Sequence, residues 1–413
     1  MFSIRNYFQI GVLSFVFFTL PLAPKITPIL ITLSIVLSFF SKTKLNFKKL
    51  PIVFYFFPIF YVLHLLSFFY SENVSFLFRD LETKLSFIII PLIFFKESKL
   101  LYDRKKIVSI AFLLGIITSS VLSYIQAYDC YELAKTRHCF EASQMAYVFH
   151  PTYLSLYYIV GIIVYWTVIY DKKYKWILSI LGGVLTCYLL YFIYQLYSAG
   201  PIIAGIFMLL SMVTTFFVFR KKFILFILTI AVLILGLFFS VNKFELLESD
   251  YNAIKNELTD YKNDPAEYIQ QNKNNTQSIK ARIVIWTLSV SLINEHKFGV
   301  GGGDVKDVLI NSYKENELDA YAEQKLNNHN QYFQTMLALG IHTGILLLVS
   351  LIMFWWIGMR NGKYLLVSVS SLLLISMLFE SILEQQGGTL FFIIFLYFSF
   401  NIYLFESKKH EFP

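Results

Sequence analysis

A helix that crosses a bilayer needs about 20 consecutive, mostly apolar residues, and this chain repeats that unit along most of its length. Stretches of this kind lie at roughly 7–23, 26–40, 50–70, 85–95, 107–127, 150–170, 176–197, 200–219, 223–241, 331–357, 364–384 and 389–405. The fourth is short and gains length only if it starts near Phe76. The expected fold is therefore an all-α polytopic membrane protein of about 12 transmembrane helices. It divides into a membrane domain at 1–241, a large loop at 242–330 and a second membrane domain at 331–413. Composition agrees, with 57% hydrophobic and 15% charged residues, against roughly 25% charged in soluble domains. The formal charge of +8 then reads as basic cytoplasmic loops and not as a nucleic-acid footprint.

Loop charge sets the expected orientation. With the N-terminus inside, the short inner segments hold 20 of the 35 basic residues and the short outer ones hold 5. This asymmetry places both termini in the cytoplasm and the 242–330 loop outside. The first apolar stretch has no small-residue cleavage site after it and is expected to stay as a span. Cys187 lies in an apolar run. Cys130 and Cys139 share one polar outer loop, so they are expected to pair if that compartment is oxidising.

Polar groups concentrate between Arg282 and Gly344. His329 stands just before the tenth expected span. An imidazole there is suited to move a proton near neutral pH, or is simply a solvated loop residue. Asn330 beside it either orients a substrate or caps the helix. Arg282 lies on an amphipathic loop helix, four residues from Trp286. A guanidinium at that depth suits a diphosphate; the plainer reading is a solvated helix face. Arg79 and Lys84 form a second basic pair, which either binds phosphate or snorkels to headgroups. Gly299-Val300-Gly301-Gly302-Gly303 lacks the Gly-Lys-Ser ending of a phosphate loop. It is expected to be a tight turn that brings backbone amides to a ligand. His150-Pro151-Thr152-Tyr153 has proline in a first helical turn, which is a start signal. Glu380 and Glu384 fall in the eleventh expected span, toward its outer end beside Gln385 and Gln386. No cluster has zinc-ligand spacing, and no outer loop carries an Asp-x-Asp pair. Neither a metal nor another cofactor is expected.

These motifs, in this order, resemble the O-antigen ligase and O-antigen polymerase superfamily. The resemblance rests on Arg282 and Trp286, the glycine run 299–303, His329 with Asn330 and Tyr332, and Gly340 with Gly344. It extends to the outer-loop segment Leu81 to Ser86 with its lysine, and to His150 through Tyr153. One position departs. Many relatives carry Ser-Arg between the seventh and eighth spans, and here Ser198 is followed by Ala199.

The resemblance implies a GT-C-like helical fold in the inner, cytoplasmic membrane with its site facing the periplasm. It implies metal-independent, inverting transfer of an oligo- or polysaccharide from undecaprenyl diphosphate to an acceptor hydroxyl. His329 would be the catalytic base. Arg282, Lys84 and Arg79 would hold the donor diphosphate. Asn330, Tyr332, Trp286, His150 and Tyr153 would position substrates. The partners implied are the lipid-linked glycan, an acceptor (lipid A core, growing chain or protein) and the bilayer, with no nucleic acid. Ligase, repeat-unit polymerase and protein O-oligosaccharyltransferase remain open alternatives. So do a membrane transporter and an inactive assembly partner, the latter prompted by Ala199.

Overall fold

The computed structural model describes residues 4–41, 51–220, 255–276 and 279–411. The expected ninth span, 223–241, and the loop residues 242–254 lie outside the described residues. The described chain is all helix, without a strand. In order, the helices are α1 (Ile4–Thr19), α2 (Thr27–Phe39), α3 (Phe56–Leu66), α4 (Val74–Lys84), α5 (Ser86–Lys96), α6 (Ser98–Asp103), α7 (Lys105–Ala134), α8 (Ala142–Met145), α9 (Pro151–Val164), α10 (Lys175–Gln195) and α11 (Ala199–Phe219). After the gap come α12 (Pro265–Gln271), α13 (Ile279–Glu295), α14 (Val305–Glu315), α15 (Asp319–Gln324), α16 (Gln331–Leu339), α17 (Ile341–Arg360), α18 (Tyr364–Phe379) and α19 (Gln386–Glu411). Among the described residues, 7 helical segments are long and apolar enough to cross a membrane, and α2 and α18 are shorter apolar helices.

Two cores organise the chain. The larger is aromatic and lies among the membrane helices, with Phe57 against Phe392 (4.9 Å) and Phe112 against Phe395 (4.6 Å). The first pair is edge-on and the second tilted, and aromatic pairs of favourable geometry add about 0.5–1.5 kcal/mol beyond the area they bury. Helix α19 is almost wholly buried at its centre, whereas α10 and α11 keep apolar side chains such as Ile180, Val184 and Leu209 outward. A water-soluble protein would hide such faces; here they suit lipid. The smaller core belongs to a helical cap, built from α12 to α16 around Val284, Leu309, Tyr313 and Tyr321.

The structure corrects two expectations about the spans. The stretch 331–357 is not one helix. Gly340 adopts φ +92°, which a side chain rarely tolerates, and splits it into α16 and α17. Helix α16 then bridges the two cores, with Tyr332 packed in the membrane core and Leu337 to Leu339 in the cap. Phe76 does not extend the 85–95 stretch either, because Leu85 separates α4 from α5. Helix α4 carries Arg79, Asp80, Glu82 and Lys84 and is amphipathic. The 30 residues of α7 rise about 45 Å, more than the roughly 30 Å of a bilayer core. Its projecting end bears Cys130, which is joined to Cys139 by a disulfide with Cα atoms 5.6 Å apart.

Candidate functional site

Three neighbouring asparagines shape the site loop. Asn330 is the N-cap of α16, and its Oδ1 accepts from the Tyr332 and Phe333 amides at 2.9 and 3.1 Å. Of the two readings of Asn330, the structure shows the cap. Asn328 is fully buried; its side chain donates to Gln334 at 2.7 Å and accepts from the Ser289 hydroxyl. Its carbonyl accepts from the Trp286 indole at 3.0 Å. Asn327 Oδ1 accepts from the His329 amide at 2.9 Å. Between them His329 sits at φ +45°. A non-glycine residue persists there only where its surroundings fix it, and such residues gather at functional sites. Trp286 thus serves the loop from α13, and its ring packs edge-on against Phe333.

His329 Nδ1 is buried, makes no hydrogen bond and stands 3.6 Å from Glu380 Oε2. Its side chain remains 29% exposed, so the ring offers an open edge away from the carboxylate. Glu380 follows the last residue of α18 and is buried. Sequence reasoning noticed this glutamate but not its partnership, because 51 residues separate it from His329. Burial pushes the Glu380 carboxyl up, but His329, His150 and Arg282 outweigh it and hold the pKa below the usual value. His150, ahead of the first residue of α9, is pulled below the ordinary histidine value. Desolvation is the main cause, with His329 and Arg282 adding to it and Glu380 opposing. His329, Glu380, His150 and Arg282 are therefore within electrostatic reach of one another. Among the described residues no carboxylate lies within 4.0 Å of the Arg282 guanidinium.

Behind this group, Tyr153 packs edge-on to His150 at 6.4 Å, and the Tyr332 hydroxyl donates to the Leu374 carbonyl at 2.9 Å. His150 caps α9 through the Thr152 amide, and Thr152 Oγ1 lies 3.0 Å from Ser198 Oγ. The Ser198–Ala199 position is thus tied to the site through Thr152, and Ala199 is exposed there.

The other basic candidates have their own surroundings. Lys84 is 2% exposed and forms ion pairs with Asp80 and with Glu384, the latter at 3.3 Å. Burial pulls its pKa down, but the two carboxylates more than offset this and hold it above the usual lysine value. The same Glu384 faces Gln331, whose Oε1 accepts from the Leu383 amide at 2.7 Å. Arg79 is exposed on α4 and lines a neighbouring cleft.

The glycine run does not present its amides to a ligand as expected. Val300 donates to the Leu337 carbonyl and Gly301 to that of Ala338, at 2.9 and 3.0 Å. Gly302 and Gly303 donate to the hydroxyls of Ser67 and Ser71. Asp304 completes the clamp by accepting from the Glu72 and Asn73 amides. The run ties α16 to the α3–α4 connection, and its glycines are needed because Gly299 and Gly301 have φ of +90° and +107°.

Residues 185–348 match the family model described as O-antigen ligase. No curated protein matches the chain significantly. The matched segment includes Ser198, Arg282, Trp286, the glycine run, His329, Asn330 and Gly340. Lys84, His150, Tyr153 and Glu380 fall outside it.

Proposed function

We infer that the chain, whose residues 185–348 match the O-antigen ligase family model, is an integral membrane protein that acts in glycan transfer in O-antigen assembly. From that premise we propose that it transfers a glycan from undecaprenyl diphosphate to an acceptor hydroxyl on the periplasmic face of the inner membrane. The observation that carries this reading is the pairing of half-buried His329 with buried Glu380 beside Arg282, which among the described residues has no carboxylate within 4.0 Å. The disulfide between Cys130 and Cys139 supports an oxidising compartment on that side.

In this proposal the acceptor hydroxyl donates its proton to the open edge of His329 as it attacks the anomeric carbon. The bond from that carbon to the diphosphate oxygen breaks on the opposite side, which inverts the centre. Glu380 stabilises the imidazolium that forms, as a carboxylate orients and stabilises a histidine base elsewhere. Arg282 takes up charge growing on the leaving diphosphate. His150 and Tyr153 form the wall that positions the sugar. Lys84 acts through Asp80 and Glu384, fixing the segment that follows Glu380. No metal or other cofactor takes part.

The test is purified protein with undecaprenyl-diphosphate oligosaccharide and the three candidate acceptors: lipid A core, the lipid-linked repeat unit and a protein. Release of undecaprenyl diphosphate that depends on one acceptor supports transfer and names its class. His329→Ala should abolish it. Full release by His329→Ala would sink the base role. No release with any acceptor would favour an inactive assembly partner, the reading that Ala199 keeps open.

A further inference from the structure

A second polar cleft opens beside the site, between α4 and the start of α14. Glu384 and Gln385 are among its lining residues and its volume is about 330 Å³, within the roughly 300–1,000 Å³ of small-molecule sites. Three cations line it: Arg79 from α4, Lys306 from α14 and Lys325 after α15. All three are exposed, and among the described residues none has a carboxylate within 4.0 Å. The two carboxylates in the cleft, Asp80 and Glu384, are already paired with Lys84 from below.

Lys306 is the second residue of α14, where the helix dipole disfavours a positive charge. Lys325 is the left-handed C-cap of α15, with φ +52°, an ending where a positive charge suits the helix dipole. The remaining lining includes Asn327, Gln334 and Thr83, side chains that hydrogen-bond sugars readily. The cleft is also joined to the reaction centre, because Asn327 is the residue that accepts the His329 amide.

We propose that this cleft binds an anionic group on the acceptor glycan, a carboxylate or phosphate carried by a sugar, and so selects acidic acceptors for His329. The inference rests on the transfer reading above for its purpose, but its binding step needs no transfer. It also gives Arg79 a different task from Arg282: Arg79 would read the acceptor, and Arg282 the donor.

The experiment is binding to the full-length protein in neutral-lipid nanodiscs. The probes are trigalacturonate, maltotriose as its uncharged counterpart, and inorganic pyrophosphate as a competitor. Trigalacturonate should bind, and maltotriose should bind at least about tenfold more weakly. Lys306→Gln combined with Lys325→Gln, both exposed, should weaken trigalacturonate by about tenfold or more, while Arg282→Gln leaves it unchanged. Equal binding by the double variant, or equal binding of maltotriose, would overturn the proposal. Displacement by pyrophosphate that depends on the same lysines would give the cleft to the donor diphosphate and equally overturn it. A protein that binds trigalacturonate through these lysines yet transfers nothing would leave the anion-binding step standing and sink the transfer reading, and with it the acceptor-selecting purpose.

Discussion

Glu380→Gln tests the His329–Glu380 pair directly. The substitution keeps the shape of the side chain and removes its charge. At an effective dielectric of about 20, unit charges 3.6 Å apart attract by about 4–5 kcal/mol. His329 is 29% and Glu380 10% exposed, so solvent screening reduces this by about half. The remaining 2–3 kcal/mol, roughly, is absent when His329 is neutral and present when it becomes an imidazolium in the transition state. It should therefore appear in kcat as a loss of about 30- to 150-fold, with KM for the donor little changed. The assay is undecaprenyl diphosphate release at saturating donor and acceptor, with an unfolding midpoint measured in parallel. A variant with unchanged kcat and unchanged midpoint, beside an inactive His329→Ala, would refute the electrostatic role given to Glu380.

Three other outcomes are expected. Lys84→Met strips the partner from two carboxylates, one of them buried, and should destabilise by about 3–5 kcal/mol, seen as loss of monodisperse protein in detergent; adding Asp80→Asn should recover part of it. Asn330→Ala removes a helix cap and should cost about 1 kcal/mol, whereas Asn330→Asp, which still caps, should keep most of the midpoint. The two pKa shifts at the site act in the same direction with pH. Glu380 is depressed below 4.5, so its stabilisation is complete above that value and is lost as pH falls through its folded pKa. His150 is depressed below 6.5, so the unfolded chain binds more protons there and stability falls as pH drops below 6.5. The unfolding midpoint should thus decline from pH 7 to 4, and Glu380→Gln should flatten its lowest part; a midpoint independent of pH would contradict both shifts.

What the sequence alone determined is what depends on local, additive properties. Hydropathy summed over about 20 residues gives the helical membrane fold. The His329-Asn330 pair before an apolar run already signals a capped helix start. Gly340 already allows a break, although only the structure shows that the chain uses it, because either helix geometry satisfies the same hydropathy. The family motifs likewise follow from order and spacing.

Tertiary structure decided which charges meet. Arg282, Arg79 and Lys84 look alike in a sequence, each a cation in an outer segment. Packing buries Lys84 between Asp80 and Glu384, leaves Arg79 in an open cleft and sets Arg282 near Glu380. The glycine amides could serve a ligand or the protein, and only the approach of Ser67, Ser71 and α16 assigns them to the protein. Ion pairing and hydrogen bonding act over a few ångströms. They are fixed by how helices far apart in the chain come together, and hydropathy carries no record of that.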